Sequence, residues 1–196
     1  MLMVKNREPE IFEAAYAVLT EKGYAGASML AIAKAAKASN ETLYRWYGDK
    51  PGLFGRIIEQ NAEAVTMLLK TYVEAGAEPM VTIEALGPEL LALLTSDRAI
   101  ALNRAAAADH SGQLGAKLAE MGRGKVAPLI MQVFEAAREN GVLTFDHPTD
   151  AVSRYLDLLV GDLQIRRATG TVPPLTQKGC DARAQRALRD LKRLMG

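Results

Sequence analysis

Apolar residues return every three or four positions along almost all of this 196-residue chain, the spacing of helices with one buried face. β-Branched residues are scattered, and no Asn-Gly or Asp-Gly turn joins two alternating segments, so strands are not expected. The first predicted helix opens at Pro9, with Glu8, Glu10 and Glu13 complementing its positive end. Ile11, Ala15, Val18 and Leu19 make its apolar stripe, Lys22-Gly23 closes it with a left-handed cap, and Tyr24 is placed to fold back on its last turn. Ser28 is the N-cap of a short helix through about Ala36, with Met29, Ile32, Ala33 and Ala36 inward. Ser39 caps the next helix, and Asp49 caps a fourth over about 51–77 with Pro51 in its first turn. Further helices are predicted at about 80–95, 97–110, 113–140, 149–168 and 181–195. Gly122, Gly124 and Pro128 argue against a straight rod over 113–140. "RATGTVPPLTQKG" (167–179) is the one long loop with turn chemistry throughout. The fold class is all-α.

Two short helices separated by Lys37-Ala38-Ser39 have the dimensions of a helix-turn-helix. Leu43 and Tyr47, one turn apart, mark the inner face of the second helix, and Ala33 is small where the two helices come closest. The helix wheel then puts Glu41, Thr42 and Arg45 outside, flanked by Tyr44 and Trp46. An arginine, a hydroxyl and aromatic edges are useful contacts in a DNA major groove, which admits a helix. The Tyr44 hydroxyl and Lys50 suit phosphate oxygens, and the Ser-capped helix starts, with Ser28, Lys37, Ser39 and Asn40, complete the expected DNA-facing set. Lys5 and Arg7 read equally as an arm along the DNA backbone or as solvated charges on a frayed terminus.

The stretch "IFEAAYAVLTEKGYAGASMLAIAKAAKASNETLYRWYGDKPGLF" resembles the DNA-binding domain of the tetracycline-repressor (TetR) family. The pieces that carry the likeness are "EKGY", a Ser-capped helix ending "IAKAA", then "S-x-x-TLYR-x-Y" followed by "DK" and an apolar helix. The resemblance implies a homodimeric regulator that binds a double-stranded operator and is commonly a repressor released by a small molecule. It also implies two parts, a helix-turn-helix domain over 1–50 and a helical ligand-binding and dimerisation domain over 51–196. Three positions depart from the family pattern: Lys37 stands where glycine is common, Trp46 where histidine is frequent, and Glu41 brings negative charge beside DNA.

Composition changes this picture little. The net charge of +1 confines any nucleic-acid surface to a local patch. A single cysteine, Cys180, cannot close an intrachain disulfide, and the polar start "MLMVKNREPE" does not read as a signal peptide. No apolar run approaches the ~20 residues a membrane helix needs. The expectation is a cytoplasmic protein with no membrane partner and no cofactor.

Other candidate chemistry is sparse. His110 beside Ser111 suggests a nucleophile, yet adjacent helical residues diverge by ~100° and no G-x-S-x-G elbow is present. Asp146, His147 and Asp150 could hold a metal, and serve equally as the entrance of a helix with Pro148 in its first turn. In the last helix Arg183, Arg186, Arg189, Lys192 and Arg193 form a basic back, opposite a stripe that includes Ala184, Leu188 and Leu191. Helix 149–168, apolar almost all round with Val152, Leu156, Leu159 and Leu163, calls for cover on two sides. These two stripes are the expected dimer interface. For a small, mainly apolar organic effector the expected lining is Met67, Leu68, Leu94, Met131, Phe134 and Tyr155, with Asn103, His110 and Gln132 as polar handles. The competing class is an all-helical enzyme or small-molecule carrier with no role at DNA.

Overall fold

The computed structural model describes the backbone of residues 2–196 and the side chains of residues 7–196. Among these residues it is helical throughout, as expected. The elements are α1 (Leu2–Gly26), α2 (Met29–Ala35), α3 (Asn40–Tyr47), α4 (Lys50–Glu74), α5 (Pro79–Thr95), α6 (Asp97–Ala107) and α7 (Gln113–Lys117). A π-helical segment (Leu118–Arg123) leads into α8 (Gly124–Glu139), followed by α9 (Pro148–Leu159), α10 (Leu163–Ala168) and α11 (Gln177–Met195). No described helix is long and apolar enough to cross a membrane.

The chain packs as two units. One holds residues 1–61 and 101–122, the other residues 62–100 and 123–196. The first therefore runs past the boundary expected at residue 50 and takes in a later segment. The core of the first unit gathers Ile11, Ala15, Leu19, Ile32, Leu43, Leu53 and Phe54, all 3% exposed or less, so the stripes of the first three helices point as expected. The core of the second is built on Leu69, Leu86, Leu91, Phe134, Tyr155, Leu159 and Leu191.

Several elements differ from the sequence expectation for identifiable reasons. Helix α1 begins well before Pro9, which lies inside it. Two tertiary contacts hold the turn ahead of the proline. Arg56 donates to both carboxylate oxygens of Glu8 at 3.1 Å, and Arg7 donates to the Ala36 carbonyl at 3.0 Å. Glu8 is thus a buried ion-pair partner rather than a helix-dipole charge. Gly23 does take positive φ (67°), but with ψ 176° it is a glycine-only kink rather than a left-handed cap. Tyr24 goes to α4, meeting Phe54 edge-on at 5.3 Å. The irregularity expected between residues 113 and 140 is the π-helical segment, placed ahead of Pro128.

The helix expected over 149–168 is two helices. It breaks after Leu159, and Gly161 turns back with φ 52°. The guanidinium of Arg183 donates to the Leu159 carbonyl and, at 3.1 Å, to that of Val160, satisfying two acceptors that the break exposes. Arg183 therefore belongs to the packing of the second unit and not to a solvated back. Arg167, 6% exposed, plays a similar part. It donates to the Thr95 carbonyl at 3.1 Å and the Val172 carbonyl at 3.3 Å and pairs with Asp97. Helix α11 starts at Gln177, earlier than expected, because the Thr176 side chain accepts the Gly179 N–H at 3.2 Å.

Candidate nucleic-acid interface

Local chemistry builds the helix-turn-helix almost residue by residue. The Ser28 hydroxyl accepts the Ala31 N–H at 3.2 Å, and the Ser39 hydroxyl accepts the Thr42 N–H at 3.0 Å, so both serines cap as expected. Between them Lys37 has φ 50°, alone among the described non-glycine residues in being positive. Its N–H reaches the Lys34 carbonyl at 3.2 Å, and the Ala38 N–H reaches the Ala33 carbonyl at 2.9 Å. This paired closure is the usual way a left-handed residue ends a helix. A lysine there costs about 1 kcal/mol relative to glycine. Arg7 bonds the Ala36 carbonyl immediately before that residue, so α1 holds the strained turn from outside.

The far end of α3 is equally constrained. Gly48 caps it with φ 79° and ψ −67°, and the Asp49 carboxylate accepts the Gly52 N–H at 2.7 Å to start α4. A Cβ on Gly52 would lie 2.1 Å from the Tyr47 carbonyl oxygen, so this approach admits only glycine. Leu43 is fully buried beneath the helix. Tyr47 packs on Phe12 at 6.1 Å between ring centres, and its buried hydroxyl titrates up at about 12, first through desolvation and then through nearby Glu8.

The structure sorts the expected DNA-facing residues into two groups. Glu41, Tyr44 and Arg45 are exposed on α3, as are Ser28, Lys37 and Ser39 at the helix starts and turn. The others are drawn inward. The Thr42 hydroxyl lies 2.7 Å from the Ser39 hydroxyl, and the Asn40 amide oxygen is buried. Trp46 is half-buried, stacking edge-on with Tyr47 at 6.4 Å and packing on the first core. Lys50, at the start of α4, is engaged within the chain. Its Nζ donates to the Tyr24 carbonyl at 2.7 Å and sits 4.1 Å from the centre of the Tyr24 ring. Arg7 is likewise engaged with Ala36 and Glu10 rather than forming part of an extended arm, while Lys5 lies outside the residues whose side chains are described. The long-range roles of Arg7 and Arg56 carried no local signal, because Ala36 and Glu8 lie 29 and 48 residues from them in the chain.

The loop after α6 resolves the His110-Ser111 pair. Helix α6 ends at Ala107, and the Ser111 hydroxyl donates to the Asp109 carboxylate at 2.7 Å rather than pairing with His110, which is exposed. Asp109 also accepts the Leu114 N–H at 3.1 Å; these bonds, Ser111 first, hold its carboxyl below the usual range. His147, Pro148 and Asp150 stand at the entrance of α9, as a helix start requires.

The expected effector lining is divided between the two units. Asn103 and His110 belong to the first unit, whereas Met67, Leu68, Leu94, Met131, Gln132, Phe134 and Tyr155 belong to the second. Met67 is 60% exposed and Gln132 is exposed, while Phe134 and Tyr155 are closed into the core 5.6 Å apart. Burial alone pushes the Tyr155 hydroxyl upward in pKa. Leu68, Leu94 and Met131 are partly buried against that core. Two surface grooves, of about 340 and 180 Å³, involve none of these residues.

The expected dimer stripes lie within one core. Leu159 and Leu191 are fully buried, and Val152, Leu163, Ala184 and Leu188 are 5–8% exposed, all inside one core cluster with Leu156 packed against it. A periodic apolar stripe cannot distinguish an intrachain neighbour from an interchain one.

Residues 11–57 match the family of bacterial regulatory proteins named for tetR, and residues 82–191, more than half of the chain, match the C-terminal domain of AefR-like transcriptional repressors. Among curated proteins, the HTH-type transcriptional repressor SCO4008 of Streptomyces coelicolor is 33% identical over 96 residues, which are 45% of this chain and 50% of that protein. The match thus spans about half the length of that relative. Among solved structures, a TetR transcriptional regulator from Agrobacterium tumefaciens superposes with a TM-score of 0.73 at 28% identity, covering 97% of this chain and 94% of that one. The flavonoid-responsive regulator FrrA gives 0.69 at 25% identity, with 97% of each chain covered. A TetR-family structure from Mesorhizobium loti gives 0.75 at 24% identity over 98% of each chain, a likeness of fold alone.

Proposed function

Because the chain belongs to the tetR family of bacterial regulatory proteins, a family of transcriptional regulators and not of enzymes, we propose that it is a dimeric repressor that reads a palindromic operator with α3 and is released by a small organic effector. The observation that carries this reading is the outward strip Glu41, Tyr44 and Arg45 on a helix whose two ends and preceding turn are all pinned. A helix held so firmly can present side chains to base edges without first losing conformational freedom. Ser28, Lys37 and Ser39, exposed around it, suit phosphate contacts that set register.

A two-fold dimer presents two copies of α3, hence the palindrome. Since Leu159 and Leu191 are spent in the core, the apolar side chains left for a second copy are exposed ones such as Ile165 on α10 and Leu194 on α11. For the effector, the adaptable, half-buried Leu68, Leu94 and Met131 support a neutral, mainly apolar molecule, and the responsiveness of FrrA to flavonoids supports the same class. Such a molecule releases DNA only if it binds one of two states more tightly. A protein of this kind works in the cytoplasm, where the chromosome is.

Selection from a random duplex pool, followed by binding over a salt series with competitor DNA, tests the reading. Near-palindromic sequences retained against competitor are expected, with affinity falling steeply as salt rises. Binding that shows no preference among duplexes, or a folded monomer by light scattering at working concentration, would overturn it.

A further inference from the structure

The structure narrows which α3 side chains can read bases. Among the polar residues after the Ser39 cap, Asn40 buries its amide oxygen, Tyr47 buries its hydroxyl and Thr42 engages its hydroxyl with Ser39. Glu41, Tyr44 and Arg45 remain exposed, Tyr44 by half. Glu41 and Arg45 are four residues apart and therefore share one strip of the helix surface.

Their chemistry is opposite and complementary to one base pair. A carboxylate entering a groove walled by phosphates gains from a base edge that offers a donor without an adjacent acceptor. In the major groove cytosine presents its N4 amino group alone, whereas adenine sets its amino group beside the N7 acceptor and guanine presents two acceptors. Arginine has the converse match, its fork of donors spanning O6 and N7 of guanine. Four residues advance about 6 Å along a helix, and successive bases are about 3.4 Å apart on a strand, so the positions read lie within about two base-pair steps.

Resting on the proposal that α3 enters the major groove, we propose that Glu41 and Arg45 are its specificity-determining pair. Each operator half-site then carries a cytosine read by Glu41 and a guanine read by Arg45, no more than about two base pairs apart. Glu41, out of place beside phosphate in general, acts as a filter. It lowers affinity for every duplex and is compensated only where cytosine meets it.

The test selects duplexes from a random pool with the unaltered chain, with Glu41→Gln and with Arg45→Ala. The unaltered chain should enrich the cytosine and guanine at this spacing, mirrored in both half-sites. Glu41→Gln should move only the cytosine position, toward adenine, whose N6 and N7 suit an amide, and should raise binding to random DNA. Arg45→Ala should lose discrimination at the guanine position alone, by about five- to 150-fold, the equivalent of ~1–3 kcal/mol. Replacing that guanine by 7-deazaguanine and assaying the unaltered chain reads the same contact without any variant, and should cost about ten-fold or more. An enriched operator without the cytosine–guanine pair, or one whose two positions ignore both substitutions and the deaza base, overturns the inference while leaving DNA reading intact. Enrichment of no duplex by the unaltered chain would instead overturn the proposed function, and the inference with it.

Discussion

The turn between α2 and α3 and the break between α9 and α10 use one device for opposite ends. In each, a helix stops at a residue of positive φ, and an arginine from elsewhere in the same unit donates to a carbonyl just before it. Arg7 reaches Ala36 ahead of Lys37, and Arg183 reaches Leu159 and Val160 ahead of Gly161. The helices that the two turns lead into differ. After Lys37 the chain enters α3, which buries Leu43 and leaves Glu41, Tyr44 and Arg45 in solvent. After Gly161 it enters α10, whose buried residues include an arginine, Arg167, bonded to Thr95, Val172 and Asp97. The first turn leaves polar ends in solvent; the second turns them inward so that apolar helices can close over one another. A charged residue near a helix break thus stays in solvent or braces the fold according to what its reach finds.

Making the second region fail should produce the largest effect. Leu159→Asp places an unpaired carboxylate in a fully enclosed position, so loss of the folded state is expected rather than a clean monomer. Circular dichroism with analytical ultracentrifugation separates the two, and a folded, soluble monomer would show that Leu159 faces a partner after all. Next in size is Arg183→Ala. It strips two carbonyls at the α9 break of their donor and should lower stability to urea by about 1–3 kcal/mol, with the fold of α3 unaltered. A change below measurement error would remove Arg183 from the comparison.

The first region should respond more gently and non-additively. Lys37→Gly relieves the left-handed turn and should stabilise by about 1 kcal/mol. Arg7→Ala should destabilise by about 0.5–1.5 kcal/mol and weaken duplex binding. If Arg7 holds the strained turn, its loss costs less once glycine occupies position 37; strictly additive effects in the double-mutant cycle would break the parallel with Arg183.

The smallest effect at neutral pH appears only in alkali. Tyr24 and Tyr47 in the first unit both titrate at about 12 instead of 10, chiefly because burial disfavours the phenolate. A raised folded-state pKa means this contribution is fully present below pH 10 and is lost as pH climbs from 10 through 12. Denaturation followed across that window, with tyrosinate absorbance as the second signal, should show the two events together. Tyrosines that ionise near their ordinary pKa without unfolding would contradict the burial.

The all-α class, the two serine caps and the inward face of each of the first three helices were legible because each depends on residues within a few positions of one another. Ser28 and Ser39 bond N–H groups three residues on, and Leu43 is buried by the same periodicity that exposes Glu41 and Arg45. Lys37 stands where the family commonly has glycine, and it takes the positive φ that glycine would adopt there. The family likeness drew on those same local motifs. The partners of long side chains were decided only by the tertiary structure. Lys50 turned to Tyr24, Arg7 to Ala36, Arg167 to Asp97 and Arg183 to the α9 break, each across 23 or more residues. The apolar stripes of α9 and α11 likewise required folding to reveal their neighbours. Hydrophobic burial is non-directional and indifferent to whether the covering surface comes from the same chain or another. Periodicity therefore specifies that Leu159 and Leu191 are covered, and only the packed helices specify by what.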